Sequence, residues 1–126
     1  MRDEEIDARE TVLREAMKAA GAEALSYLAA PARLEVGRKG PQDFVSAADG
    51  AVEGLFRGLL LGAFPQDGFL GEETGGGESR GGGLWVVDPI DGTANFAHGD
   101  RNWCISIGFL LNREPTIGIV AAPALD

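Results

Sequence analysis

The stretch Leu84-Trp85-Val86-Val87-Asp88-Pro89-Ile90-Asp91-Gly92-Thr93 joins an unbroken apolar run to a cluster of acidic and turn-forming residues. A continuous apolar run bounded by turn signals is what a buried strand shows. Asp88 and Asp91 are therefore expected at that strand's C-terminal end. Pro89, with fixed φ and no N–H, is expected to stop the strand there. A short helical turn should follow over Thr93 to Phe96.

Working outward, Phe69-Leu70 reads as a brief strand leading into Gly71-Glu72-Glu73. Residues 74–83 hold six glycines among polar residues, which predicts a surface loop with no regular structure. Further upstream, Val52, Leu55, Phe56, Leu59 and Leu60 share a helical face, with Ser46 as cap and Gly62 and Pro65 as stop. That reading puts Asp49 in the helix's first turn. Leu34-Glu35-Val36 and Phe44-Val45, around Gly37, Gly40 and Pro41, suggest a strand pair.

At the N-terminus, Ile6, Val12, Leu13, Ala16, Met17, Ala20, Ala24, Leu25 and Leu28 recur at helical spacing, predicting a long amphipathic helix from Asp3 to Ala30. Downstream, Cys104 to Leu111 and Thr116 to Ala122 read as two strands joined by Asn112-Arg113-Glu114-Pro115. Phe56, Trp103 and Phe109 are expected in the core, as is Cys104. The fold class is α+β, two N-terminal helices packed on a predominantly antiparallel sheet, with residues 1–126 forming one domain.

The chain carries 11 basic and 20 acidic residues, a net charge of -9, which argues against nucleic acid as a partner. Cys104 is the single cysteine, so no intrachain disulfide can form. No stretch approaches the roughly 18–20 apolar residues of a membrane span, and Met1 to Arg14 has no signal-peptide core. These features predict a cytoplasmic protein that engages no membrane.

Two aspartates at one strand end suit a hard cation. Magnesium takes oxygen ligands, commonly one or two carboxylates together with water and substrate phosphate oxygens. Pro89 helps to turn the Ile90 carbonyl toward the same point, a third candidate ligand. Gly92 allows close backbone approach, and Thr93 opens a helix whose first N–H groups favour a phosphate. On these residues a small-molecule phosphate monoester is the expected ligand.

Trp85, Asp88-Pro89-Ile90-Asp91-Gly92-Thr93 and Asn95-Phe96 together match WxxDPIDGTxNF, the signature of the inositol monophosphatase family, which the chain resembles. Gly71-Glu72-Glu73 resembles the family's second motif, and Lys39 with Ser46-Ala47-Ala48-Asp49 its early lysine and Thr/Ser-x-x-Asp segment. The resemblance implies the N-terminal part of a layered α/β sandwich. It also implies a magnesium held by Glu72, Asp88 and the Ile90 carbonyl, and a second shared by Asp88 and Asp91. Glu72, Thr93 and Asp49 would hold and orient the attacking water, Gly92 and Thr93 would bind phosphate, and Glu73 would give a supporting hydrogen bond. His98 has no role in this scheme, and lithium sensitivity comes with the family.

The resemblance covers about residues 5 to 122, while members of the family run to about double this length. Their second half contributes a Trp-Asp motif that completes the second metal position. Trp85 is followed by Val86 and Trp103 by Cys104, so this chain has no such pair. The implied activity is magnesium-dependent hydrolysis of inositol monophosphate, with Asn95-Phe96 favouring inositol. Histidinol-phosphate and nucleotide 3'-phosphate phosphatases share the core motif. A non-catalytic metal-binding or interaction module is the alternative of another class. The expected partner is a second copy in a homodimer, or a separate C-terminal half.

Overall fold

The computed structural model describes residues 1–29, 41–71, 75–77 and 82–125, and for residues 29, 41–44 and 75–77 the backbone alone. Helix α1 spans Asp3–Ala29. Asp3, Glu4 and Glu5 occupy its first turn, where the helix dipole favours negative charge. Leu13, Ala16, Met17, Ala20 and Ala24 are buried along one side. Three of those five are alanines, so a neighbour can approach closely. Gly21 is part of the same contact, since a β-carbon there would press on Pro123 at 3.3 Å.

Helix α2 spans Pro41–Ala63 and starts earlier than its sequence suggested. Phe44 and Val45 are helical, not extended. Proline is well suited to the first turn of a helix, where its missing N–H is not needed. Val45, Ala48, Val52, Phe56 and Leu60 then form one buried stripe. Asp49 consequently lies about two turns inside the helix. The dipole that would favour a first-turn carboxylate gives no reason for it there. The proposed strand at Leu34-Glu35-Val36, and Lys39, lie outside the described residues.

Five strands follow: β1 Gly68–Gly71, β2 Gly75–Gly77, β3 Gly83–Asp91, β4 Cys104–Leu111 and β5 Glu114–Ala121. Their order in the sheet is β2-β1-β3-β4-β5. Only the β1–β3 pairing among these is parallel, the others being antiparallel. Strand β2 falls in the glycine-rich stretch expected to be irregular. Pairing uses the backbone alone, and three consecutive glycines have no side-chain pattern by which to announce it.

The β4–β5 connection is tighter than expected. Asn112 and Arg113 form a two-residue turn with φ of 51° and 71°, as a type I′ hairpin requires, so Glu114 and Pro115 already belong to β5. Pro115 is tolerable because β5 ends the described sheet order.

Helices α1 and α2 cover one face of the sheet, α2 over β1 and β3 and α1 reaching β5. Phe69, Trp85, Val87, Ile105, Ile107 and Phe109 are buried beneath them. Trp85 and Phe109 meet with ring centroids 4.6 Å apart. On the sheet's opposite face Leu70 is 43% and Val120 67% exposed. Among the described residues, no helix is long and apolar enough to cross a membrane.

Candidate metal and phosphate site

On a regular strand, residues three apart point to opposite faces. Asp88 and Asp91 would then be separated by the sheet itself. The register between β3 and β4 prevents this. Asp88 lies opposite Ser106 and Asp91 opposite Cys104, so three steps along β3 match two along β4. One extra residue is taken up as a bulge. Ser106 and Cys104 share a face of β4, and their partners Asp88 and Asp91 therefore emerge together.

Pro89 lies inside this bulge, and the strand continues past it to Asp91. The expected stop is thus a kink: where the ladder is already irregular, a residue without an N–H costs little. Pro89 and Ile90 are both buried, Ile90 at 1% exposure, and they pin the bulge to the core. The Ile90 side chain is an anchor, leaving its carbonyl as the group available to a ligand.

The two carboxylates feel each other. Burial first, and then the charge of Asp91, push the Asp88 carboxyl above its ordinary value. A carboxyl with a raised folded-state pKa binds its proton more tightly in the fold than in the unfolded chain. Its stabilising effect is present at low pH and is lost as pH rises through the raised value. Without metal, Asp88→Asn should therefore stabilise the fold at neutral pH, seen as a raised urea midpoint, by under about 1 kcal/mol because solvent screens so open a site. A lowered midpoint would contradict this.

Cys104, expected in the core, is half-buried on the same open face. Its Sγ lies 3.9 Å from Asp91 Oδ2. Burial, then the charges of Asp91 and Asp88, push the thiol above its ordinary value. Alternation along β4 explains the placement, with Ile105 taking the core side.

Immediately beyond Asp91 the chain turns into helix α3, Thr93–Ala97. Gly92 adopts φ of 91°, a left-handed conformation that L side chains rarely take. A β-carbon there would also lie 3.1 Å from the Asn102 carbonyl oxygen. The first helical bond runs from the Phe96 N–H to the Gly92 carbonyl at 3.0 Å, so the Thr93, Ala94 and Asn95 amides precede it. Thr93 is exposed.

The loop after α3 is tied back to this corner. Asn95 Nδ2 donates to the Asn102 carbonyl at 2.7 Å, while Asp100 Oδ1 accepts from the Asn102 N–H and Nδ2. The Asn102 N–H is the main reason the Asp100 carboxyl is held below its ordinary value. Phe96 is buried edge-on against Trp103, centroids 4.9 Å apart. Asn95 and Phe96 thus build the corner. Exposed His98 lies at the end of α3.

Of the sequence-derived site residues, the structure gathers Asp88, Ile90, Asp91, Gly92 and Thr93 at one corner. Asp49 is buried at 5% exposure in α2, which packs on α3 as well as on β1 and β3. Glu72 and Glu73 lie outside the described residues. Among the described residues no group of three acidic, His or Cys side chains is drawn together tightly enough to hold an ion. Two close carboxylates nevertheless match what magnesium commonly takes from protein, the remaining positions going to water and phosphate oxygens.

Three buried charges were not foreseen. Glu53, fully buried in α2, and the Arg9–Asp67 pair looked like ordinary solvated helix and turn residues. For Glu53 a signal existed: it stands one turn from Asp49, at the edge of the apolar stripe.

A family model described as the inositol monophosphatase family matches residues 5–126. The chain is 43% identical over 122 residues to an uncharacterized protein, y4fL, of Sinorhizobium fredii, covering 97% of this chain and 44% of that one. It is 48% identical over 82 residues to a histidinol-phosphatase of Mycobacterium tuberculosis, covering 65% and 32%. The crystal structure of inositol monophosphatase-II from Staphylococcus aureus superposes with a TM-score of 0.81 at 31% identity, covering 94% and 44%. The chain thus spans under half the length of each relative.

Proposed function

Since the chain belongs to the inositol monophosphatase family, we propose that it forms the metal-binding part of a magnesium-dependent phosphomonoesterase. The observation that carries this reading is the β3 bulge, which turns Asp88 and Asp91 to one side directly before Gly92-Thr93. In this reading Asp88, Asp91, the Ile90 carbonyl and Glu72 hold magnesium. When bound, the ions acidify a water and neutralise charge on the leaving ester oxygen. Thr93 and Glu72 hold that water by hydrogen bonds, and Asp49 orients Thr93 from α2. The amides at Gly92 and Thr93 receive the phosphate oxygens. The products are an alcohol and inorganic phosphate.

Inositol monophosphate is the substrate we propose, with histidinol phosphate as the alternative favoured by the mycobacterial relative. Asn95 and Phe96, the signature residues that pointed to inositol, brace the corner, Asn95 through its bond to the Asn102 carbonyl and Phe96 through its contact with Trp103. The open sheet face with Leu70 and Val120 is where the relatives' remaining length, or a second copy, would pack.

The test is magnesium-dependent phosphate release from inositol 1-phosphate, histidinol phosphate and nucleotide 3'-phosphates. It is run on the chain alone and with the C-terminal half of the staphylococcal relative added as a separate polypeptide. Release from inositol 1-phosphate, increased by the added half, is expected. Magnesium binding without release in either setting would favour the non-catalytic module instead.

A further inference from the structure

Glu53 has no solvent exposure. It sits one helical turn beyond Asp49 and is flanked by buried Val52 and Phe56. A buried carboxylate forfeits its hydration and persists only where protein groups replace it. Its place in the fold shows what it serves. A β-carbon added at Gly71 would overlap the carboxyl carbon and both oxygens of Glu53. The carboxylate therefore lies against the main chain at the last residue of β1.

Gly71 is thus required for room. Its φ is not in the left-handed region, so no turn demands glycine there. Gly71 also pairs with Val87, the residue before Asp88, and the residue that follows Gly71 in the chain is Glu72.

We propose that Glu53 is a positioning residue: its carboxylate, seated against Gly71, fixes the main chain at the end of β1 and, through the pairing of Gly71 with Val87, steadies the strand end that presents Asp88 to the ion. This rests on the assignment of Asp88 as a ligand under the proposed function. Glu53 acts from the interior of a long helix, a rigid support for the end of a strand of four residues.

The test uses the chain with Mn2+ as probe, following free Mn2+ by electron paramagnetic resonance. Glu53→Gln, which keeps shape and removes charge, should weaken Mn2+ binding about 10–100-fold, as loss of a ligand's supporting partner does elsewhere. In metal-free protein the same change should speed hydrogen exchange in the peptide spanning residues 68–75 about 10-fold or more, leaving α1 and β4 peptides unchanged. Gly71→Ala should lower the melting temperature by collision. Adding Glu53→Ala to it should restore the temperature but not the Mn2+ affinity.

Wild-type exchange in residues 68–75 for Glu53→Gln, or acceleration spread over the whole chain, would overturn the proposal. If wild-type chain binds no Mn2+ while that peptide still responds, the metal assignment of Asp88 fails and the hold of Glu53 on β1 stands.

Discussion

Arg9→Met is expected to destabilise the fold by about 3–5 kcal/mol, the cost of leaving one member of a buried ion pair alone. Arg9 Nε and Nη2 each donate to Asp67, to Oδ2 and Oδ1, at 2.8 Å. The Asp67 side chain is 1% exposed. Its Oδ2 also accepts from Trp85 Nε1 at 3.0 Å, tying α1, the turn before β1 and the core of β3 to one carboxylate. The guanidinium lies 4.3 Å from the Phe64 ring centroid, so the change removes a cation–π contact too. Urea denaturation measures the loss. Combining Arg9→Met with Asp67→Asn should recover most of it, because the amide oxygen introduced by the second change can still accept from Trp85 and no charge is stranded. A single variant within about 1 kcal/mol of wild type would show that the pair does not clamp these three elements.

The second large effect is on function. Asp91→Asn should lower magnesium affinity at least about 100-fold, since loss of a ligand exceeds the 10–100-fold typical of its supporting partners. Its charge also faces Asp88, so the change removes one of the charges that draw a cation to this corner. Whatever phosphate release the chain supports should vanish with it. Folding should survive, because Asp91 is exposed at the end of β3. Calorimetric titration with magnesium reads the affinity directly, and an unchanged isotherm would remove Asp91 from the ligand set.

Much of this fold was legible because its signals are local. The helical spacing of Leu13, Ala16, Met17, Ala20 and Ala24 announces α1, and the run Leu84 to Val87 announces β3. The start of α2 was misplaced because Pro41 reads equally as a turn and as a first helical residue. Strand β2 was missed because Gly75, Gly76 and Gly77 pair through backbone alone.

At the site, the motif supplied the residues but not the device that unites them. That Asp88 and Asp91 share a face depends on register against β4, a relation between strands that neither strand's sequence reveals singly. Glu53 and the Arg9–Asp67 pair were hidden for a related reason. Charged residues on helices and turns are usually solvated, and what buries these lies 18 and 58 positions away, at Gly71 and across the fold.

If the divalent ion sits at the corner between β3 and α3, paramagnetic broadening of backbone amide resonances by substoichiometric Mn2+ locates it directly. The expected result is early loss of signals from Asp88 to Ala94 and from Cys104 and Ser106, with α1 spared. Broadening centred on Asp3, Glu4 and Glu5 at the start of α1, or none at all, would contradict it.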